Sequence, residues 1–134
     1  MNKIIISFLT TLLAFSFLSQ AIADDIKIGV ILGFTGPIES LTPTMASSAE
    51  LAMKEVSDSG LLLDGANVSS IRADSTCVDA GAAVSAAERL VTSDNVAAIM
   101  GADCSGVTTA IANNVAVPNG VTIISPSATS PALT

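Results

Sequence analysis

The 134-residue sequence contains no His, Trp or Tyr and only two Cys. Without His, neither a Ser-His-Asp nor a Cys-His nucleophile can be assembled, and zinc sites that need an imidazole are excluded as well. Aromatic side chains are scarce: beyond residue 23, Phe34 stands alone. Cations are equally few. Lys27, Lys54, Arg72 and Arg89 face twelve carboxylates after residue 23, a net charge of −8. A surface this acidic argues against nucleic acid or an anionic membrane as partner. The glycines at 33 and 36 follow neither G-x-G-x-x-G nor G-x-x-x-x-G-K-[ST], so no nucleotide-phosphate loop is signalled and no cofactor is expected.

What is present begins with an address. Met1-Asn2-Lys3 is a short basic start, residues 4–18 are almost wholly apolar, and Ala21-Ile22-Ala23 supplies small residues at a cleavage site before Asp24. This pattern reads as a secretory signal peptide over residues 1–23, and its apolar core is shorter than the roughly 20 residues that span a bilayer. No Cys lies just after the cut, so lipid anchoring is not indicated. Residues 24–134 then form one domain or part of one.

That remainder alternates short apolar runs with helix-period segments. Residues 25–32, 68–73, 96–100 and 121–124 read as strands, the apolar ones suited to burial on both faces of a parallel sheet. Thr42 as N-cap with Pro43 behind it opens a helix closed by Gly60, with Met45, Ala49, Ala52, Met53 and Val56 as a core-packing stripe. Residues 74–77 cap a second, Ala-rich helix reaching about Thr92, with Ala80, Ala83, Val84, Ala87, Leu90 and Val91 inward. Residues 108–115 carry a third helix, with Ile111 and Val115 inward, and Pro118-Asn119-Gly120 reads as a turn. Asn67-Val68-Ser69 matches a glycosylation sequon. The order βαβαβαβ predicts an α/β fold: a doubly wound, Rossmann-like parallel sheet with helices on both faces.

In such sheets ligands sit beyond the carboxyl ends of the strands, where the strand order reverses. With strand order 2-1-3-4 the crevice falls between the first and third strands, and residues 34–41, 102–106 and 126–130 reach it. These loops are rich in Ser, Thr and Gly, which suits a small polar ligand, although turn chemistry alone selects the same residues. The turn around Gly101-Ala102-Asp103-Cys104-Ser105-Gly106 leads from a strand into a helix, and Ser105 is the expected N-cap beside an anion-sized site. Asp103 reads either as a charge complementing the helix dipole or, less simply, as the general base of an α/β enzyme. Cys77 and Cys104 follow strands at the same end of the sheet and could lie within bridging distance; a structural bridge outranks a reactive Cys104, which has no His to activate it.

Ile28-Gly29-Val30, Phe34-Thr35-Gly36-Pro37, Glu50-Leu51-Ala52, Ser59-Gly60, the Cys77 and Cys104 pair, Ser105-Gly106 and Ile124-Ser125-Pro126-Ser127-Ala128-Thr129-Ser130-Pro131 together make the chain resemble the leucine/isoleucine/valine-binding proteins. These are type I periplasmic solute-binding proteins of ABC importers. The resemblance implies two lobes closing on an amino acid, with residues 24–134 the N-terminal part of the first lobe, the second lobe absent, and an ABC permease as membrane partner. It implies a Cys77–Cys104 disulfide, and it assigns Ser105 to the ligand carboxylate, with the Ser127 carbonyl and the Thr129 hydroxyl completing the grip on carboxylate and ammonium. Gly106, Ala128 and Phe34 complete the expected ligand-binding set. Leu41 departs from the family, which commonly places an aromatic residue after the first strand. A ligand-sensing receptor domain of the same fold is the alternative reading. Neither implies catalysis, and the expected location is the periplasm, with the signal peptide over residues 1–23 cleaved.

Overall fold

The computed structural model of the chain describes residues 25–133. The expected signal peptide lies outside them. Four parallel strands, β1 (Ile26–Leu32), β2 (Val68–Asp74), β3 (Ala98–Gly101) and β4 (Thr122–Ile124), form one sheet in the order β2-β1-β3-β4. The expected strand order and α/β class are therefore those of the molecule. Because all strands point the same way, every loop that leaves a strand emerges at one rim.

Side-chain alternation along β1 divides the core into two layers. Ile31 faces a cluster with Ile99, Leu90, Ala83, Ala87, Val107, Ile111 and Val115, whereas Val30 and Leu32 face Ala46, Met45, Met53 and Met100. Helix α1 (Thr42–Ser59) thus covers one face, and α2 (Ala80–Thr92) with α3 (Ser105–Ile111) covers the other. At Gly29 the layer of Ile31 and Leu90 packs tightly on the strand: a Cβ there would stand 2.9 Å from Leu90 Cδ1.

Several expected boundaries shift, each for a local reason. Thr42 is the first residue of α1 rather than its cap, because its buried hydroxyl donates to the Gly33 carbonyl at 3.0 Å. That anchor turns the inner face of α1 to Ala46, with Met45, Ala49 and Met53 partly buried, and leaves Ala52 and Val56 exposed. Gly60 closes α1 in the left-handed conformation, as glycine does most cheaply. Asp79, not residues 74–77, caps α2 by accepting from the Ala82 amide at 3.0 Å, and Ala80 is exposed. Strand β3 starts at Ala98 because the Val96 amide is bonded back to Leu90 at the end of α2. The third helical stretch starts at Ser105 and runs on through a π-helical turn, Ala112–Ala116, to Val117–Asn119, so Pro118 sits in its last turn. Pro118 has no N–H to bond back, and the turn just before it is widened, with the Val117 amide reaching the Ala112 carbonyl. Gly120 then ends the stretch.

Candidate functional site

Beyond the rim, four loops converge, and polar side chains tie each to its neighbours. Leaving β3, Gly101 must be glycine: its φ is +132°, and a Cβ would fall 2.0 Å from the Ile31 carbonyl oxygen. This close approach lays the turn at 101–106 directly against the end of β1.

Asp103 follows, 4 % exposed, with its carboxylate turned inward. It accepts from the Gly33 amide at 2.8 Å, the Ser75 hydroxyl at 3.3 Å and the Cys104 amide at 2.9 Å. No described cation pairs with it; the ion pairs use Asp58, Glu50 and Asp94. One oxygen thus meets the helix start through the Cys104 amide, as dipole complementation expects, while both also serve other loops, and a carboxylate so enclosed offers no access to a substrate.

Cys104 is the N-cap residue of α3 and is bridged to Cys77, with Cα atoms 5.2 Å apart. Cys77 and the preceding Thr76 both have left-handed backbone, φ 69° and 57°, an uncommon conformation for residues with side chains. The bridge joins the loop after β2 to the start of α3, so the resemblance and the two strand ends pointed to the same pair.

Ser105 is the first residue of the helix, not its cap. Its Oγ accepts from the Thr129 amide at 3.0 Å and from the Ser130 amide at 3.2 Å. With both bonds received, its own proton is donated to no group among the described residues. Gly106 is exposed beside it, and a Cβ there would meet nothing within 4 Å.

The loop after β4 is shaped by Ser125, whose hydroxyl donates to the Ala102 carbonyl while its oxygen accepts from the Ala128 amide at 2.8 Å and the Ser127 amide at 3.3 Å. The Ser127 hydroxyl donates to the Asp103 carbonyl at 2.8 Å. The Thr129 side chain is exposed, and neither its hydroxyl nor the Ser127 carbonyl is bonded among the described residues. The structure therefore brings Ser105, Gly106, Ser127, Ala128 and Thr129 together at one rim.

Phe34 is placed differently from those five. It packs, partly buried, on the layer of Val30, Leu32 and Ala46, and the Arg72 guanidinium lies 5.5 Å from its ring centroid. Arg72 is in turn held by Glu50 through two bonds of 2.7 Å, and the Ser70 hydroxyl adds a third to Glu50 at 3.0 Å. The guanidinium holds the Glu50 carboxyl below its ordinary value against the opposing effect of burial. Glu50 raises Arg72 in return.

Sequence reasoning missed Thr35, Asp74, Ser75 and Ser125. Asp74 accepts from the Thr35 hydroxyl at 2.5 Å, the Thr76 amide at 2.8 Å and the Thr35 amide at 3.3 Å. Burial pushes its carboxyl up, but the Thr35 hydroxyl and the amides of Thr76, Thr35 and Phe34 outweigh burial and hold it below its usual value. The available signal was positional: each of Asp74, Ser75 and Ser125 is the last residue of a strand or the first beyond it, where small polar side chains bond loop amides.

A sequence model of one protein family, described as periplasmic binding protein, matches residues 25–134. The Leu/Ile/Val-binding protein of Escherichia coli K12 is 30 % identical over 122 residues, covering 91 % of this chain and 32 % of that protein. The Leu/Ile/Val-binding protein BraC3 of Rhizobium johnstonii is 33 % identical over 132 residues, 98 % of this chain and 34 % of that one. The chain spans about a third of the length of these curated relatives. Among solved structures, the branched-chain amino acid transporter substrate binding protein LivJ from Streptococcus pneumoniae, in complex with isoleucine, superposes with a TM-score of 0.72 at 33 % identity, covering 80 % of this chain and 30 % of that one.

Proposed function

The chain belongs to the periplasmic binding protein family, and from that premise we propose that it is part of the extracytoplasmic substrate-binding component of an ABC importer, taking up a branched-chain or related amino acid. Residues 24–134 are then the N-terminal part of one ligand-binding lobe, and a second lobe closes over the ligand. A membrane permease receives the complex. Family membership itself places the protein outside the cytoplasm, and we read residues 1–23 as the signal peptide that takes it there; N-terminal sequencing of exported protein should then begin at Asp24.

The observation that carries this reading is the bonding state of Ser105. Two backbone amides donate to its oxygen, so the hydroxyl proton points away from them and is available to an acceptor such as a carboxylate. A few residues on, the free Ser127 carbonyl can accept from an ammonium, and the free Thr129 hydroxyl can serve either end of a zwitterion. Gly106 leaves room beside Ser105 for the ligand head. No charged side chain is needed for this grip, which fits a scarcity of cations.

Such an arrangement binds rather than transforms. The relatives' names agree: the Escherichia coli and Rhizobium proteins are named for leucine, isoleucine and valine binding, and the pneumococcal protein was solved with isoleucine. Isothermal titration with leucine, isoleucine and valine tests the reading. Saturable one-to-one binding by a two-lobed protein containing this chain, with weaker binding by residues 24–134 alone, is expected. Failure of all three amino acids to bind the two-lobed form would overturn it.

A further inference from the structure

The one buried acid among the described residues lies directly beneath the proposed grip, and it belongs to no ion pair. We propose that Asp103 is a positioning residue, fixing the four rim loops relative to one another so that Ser105, Ser127 and Thr129 are in place before ligand arrives. The inference concerns how the site is held, and its ligand-binding consequence rests on the function proposed above.

Asp103 touches every loop of the rim. Its carboxylate takes the Gly33 amide from the loop after β1 and the Ser75 hydroxyl from the loop after β2. Its backbone carbonyl takes the Ser127 hydroxyl from the loop after β4. It belongs itself to the loop after β3, two residues before Ser105, and binds the amide of Cys104 at the helix start. A buried carboxylate without a cation is tolerated only while several donors satisfy it, so any displacement of one loop exposes the charge to an unfavourable environment. The acid therefore penalises loose arrangements that an apolar residue of similar size would permit. Ser75 is fully buried as well, so its hydroxyl has no water to turn to in place of the Asp103 carboxylate.

The Cys77–Cys104 bridge does not duplicate this role. It joins the loop after β2 to the helix start and packs against Gly33, but it makes no bond to the loop after β1 or the loop after β4.

The test uses the full chain with Asp103→Asn, which keeps shape and one accepting oxygen but presents an NH2 group to one set of donors. Amide hydrogen exchange at Gly33, Cys104, Thr129 and Ser130 should quicken about tenfold, with Val30 and Ile99 in the strands unchanged. Ser75→Ala, which removes one donor and leaves the charge, should quicken the same amides by a smaller factor, and it serves if the first variant does not fold. Exchange at these loop amides unchanged in the folded variants, or quickened equally at Val30 and Ile99, overturns the proposal. In the two-lobed protein the same substitutions should weaken isoleucine binding about tenfold, and unchanged affinity would overturn the link to the ligand. A wild-type protein that binds no amino acid would instead refute the proposed function, while the exchange result still decides the role of Asp103.

Discussion

The hydroxyl oxygen of Ser105 lies 3.0 Å from the backbone nitrogen of Thr129, although 24 residues separate them. Ser105→Ala removes the acceptor of two amides and the donor offered to a ligand carboxylate. Hydrogen bonds to charged groups contribute about 1.5–3 kcal/mol, so amino-acid affinity in the two-lobed protein should fall roughly 10- to 150-fold. Unfolding stability should drop by only about 1 kcal/mol, because Thr129 and Ser130 can turn to water. Parallel titration calorimetry and urea unfolding of the variant separate the two effects; a fall in stability without a fall in affinity would remove Ser105 from the site.

At the neighbouring position, Gly106 separates space from stability. Its backbone is helical and its surroundings are open, so Gly106→Ala should stabilise the helix by about 0.5 kcal/mol. Gly106→Leu fills the volume assigned to the ligand head. It should fold normally by circular dichroism and lose amino-acid binding by more than tenfold, an estimate set by steric exclusion of a packed ligand. Equal affinity of Gly106→Leu and wild type would place the ligand elsewhere.

The disulfide closes a long loop, with 27 residues of sequence separation between Cys77 and Cys104. On the chain-entropy account its removal costs about 3–4 kcal/mol. Cys77→Ser with Cys104→Ser should therefore lower the urea midpoint substantially while leaving the slope near that of the reduced wild type. The same shift on adding a reductant to wild type, and none on adding it to the variant, would show that the bridge is the cause.

Acid should loosen the rim and the α1–β2 flank in a defined direction. Asp74 and Glu50 both have lowered pKa values in the folded state. Each contributes stability at neutral pH that is lost as pH falls through the ordinary carboxylate range and then through the lowered folded value. Unfolding free energy measured from neutral pH down to about pH 3 should decline, and Thr35→Val, which removes a donor to Asp74, should make that decline shallower. A decline as steep in Thr35→Val as in wild type would exclude this pair as a source.

The fold was largely legible because its signals are repetitive. Four strand-length segments separated by helix-period ones admit few arrangements, and the right-handed crossover rule reduces them further. The rim was legible only in outline. Ser105, Ser127 and Thr129 announced themselves through position and family pattern, but the use of Thr42 could not be read. A Thr before Pro is a standard cap signal, whereas here its hydroxyl bonds the Gly33 carbonyl nine residues back. Asp103 shows the same limit: its partners are 70 and 28 residues away, so no local pattern encodes them. Pro118 misled for the opposite reason, since a π-helical turn lets a strong helix breaker sit inside a helix. Local chemistry sets what each residue can do, and tertiary neighbours choose among those options.

The polar ties of the rim leave Leu41 and Val78 out. Their side chains stand 61 % and 71 % exposed on the loops after β1 and β2, beside residues whose bonds fix the loops. Larger, smaller or polar groups can therefore replace these two apolar side chains without breaking the hydrogen bonds that hold the rim loops together. Variation at the exposed tips is in this way separated from maintenance of the scaffold, and random libraries confined to positions 41 and 78 should retain folding at rates that libraries at 75 and 103 do not.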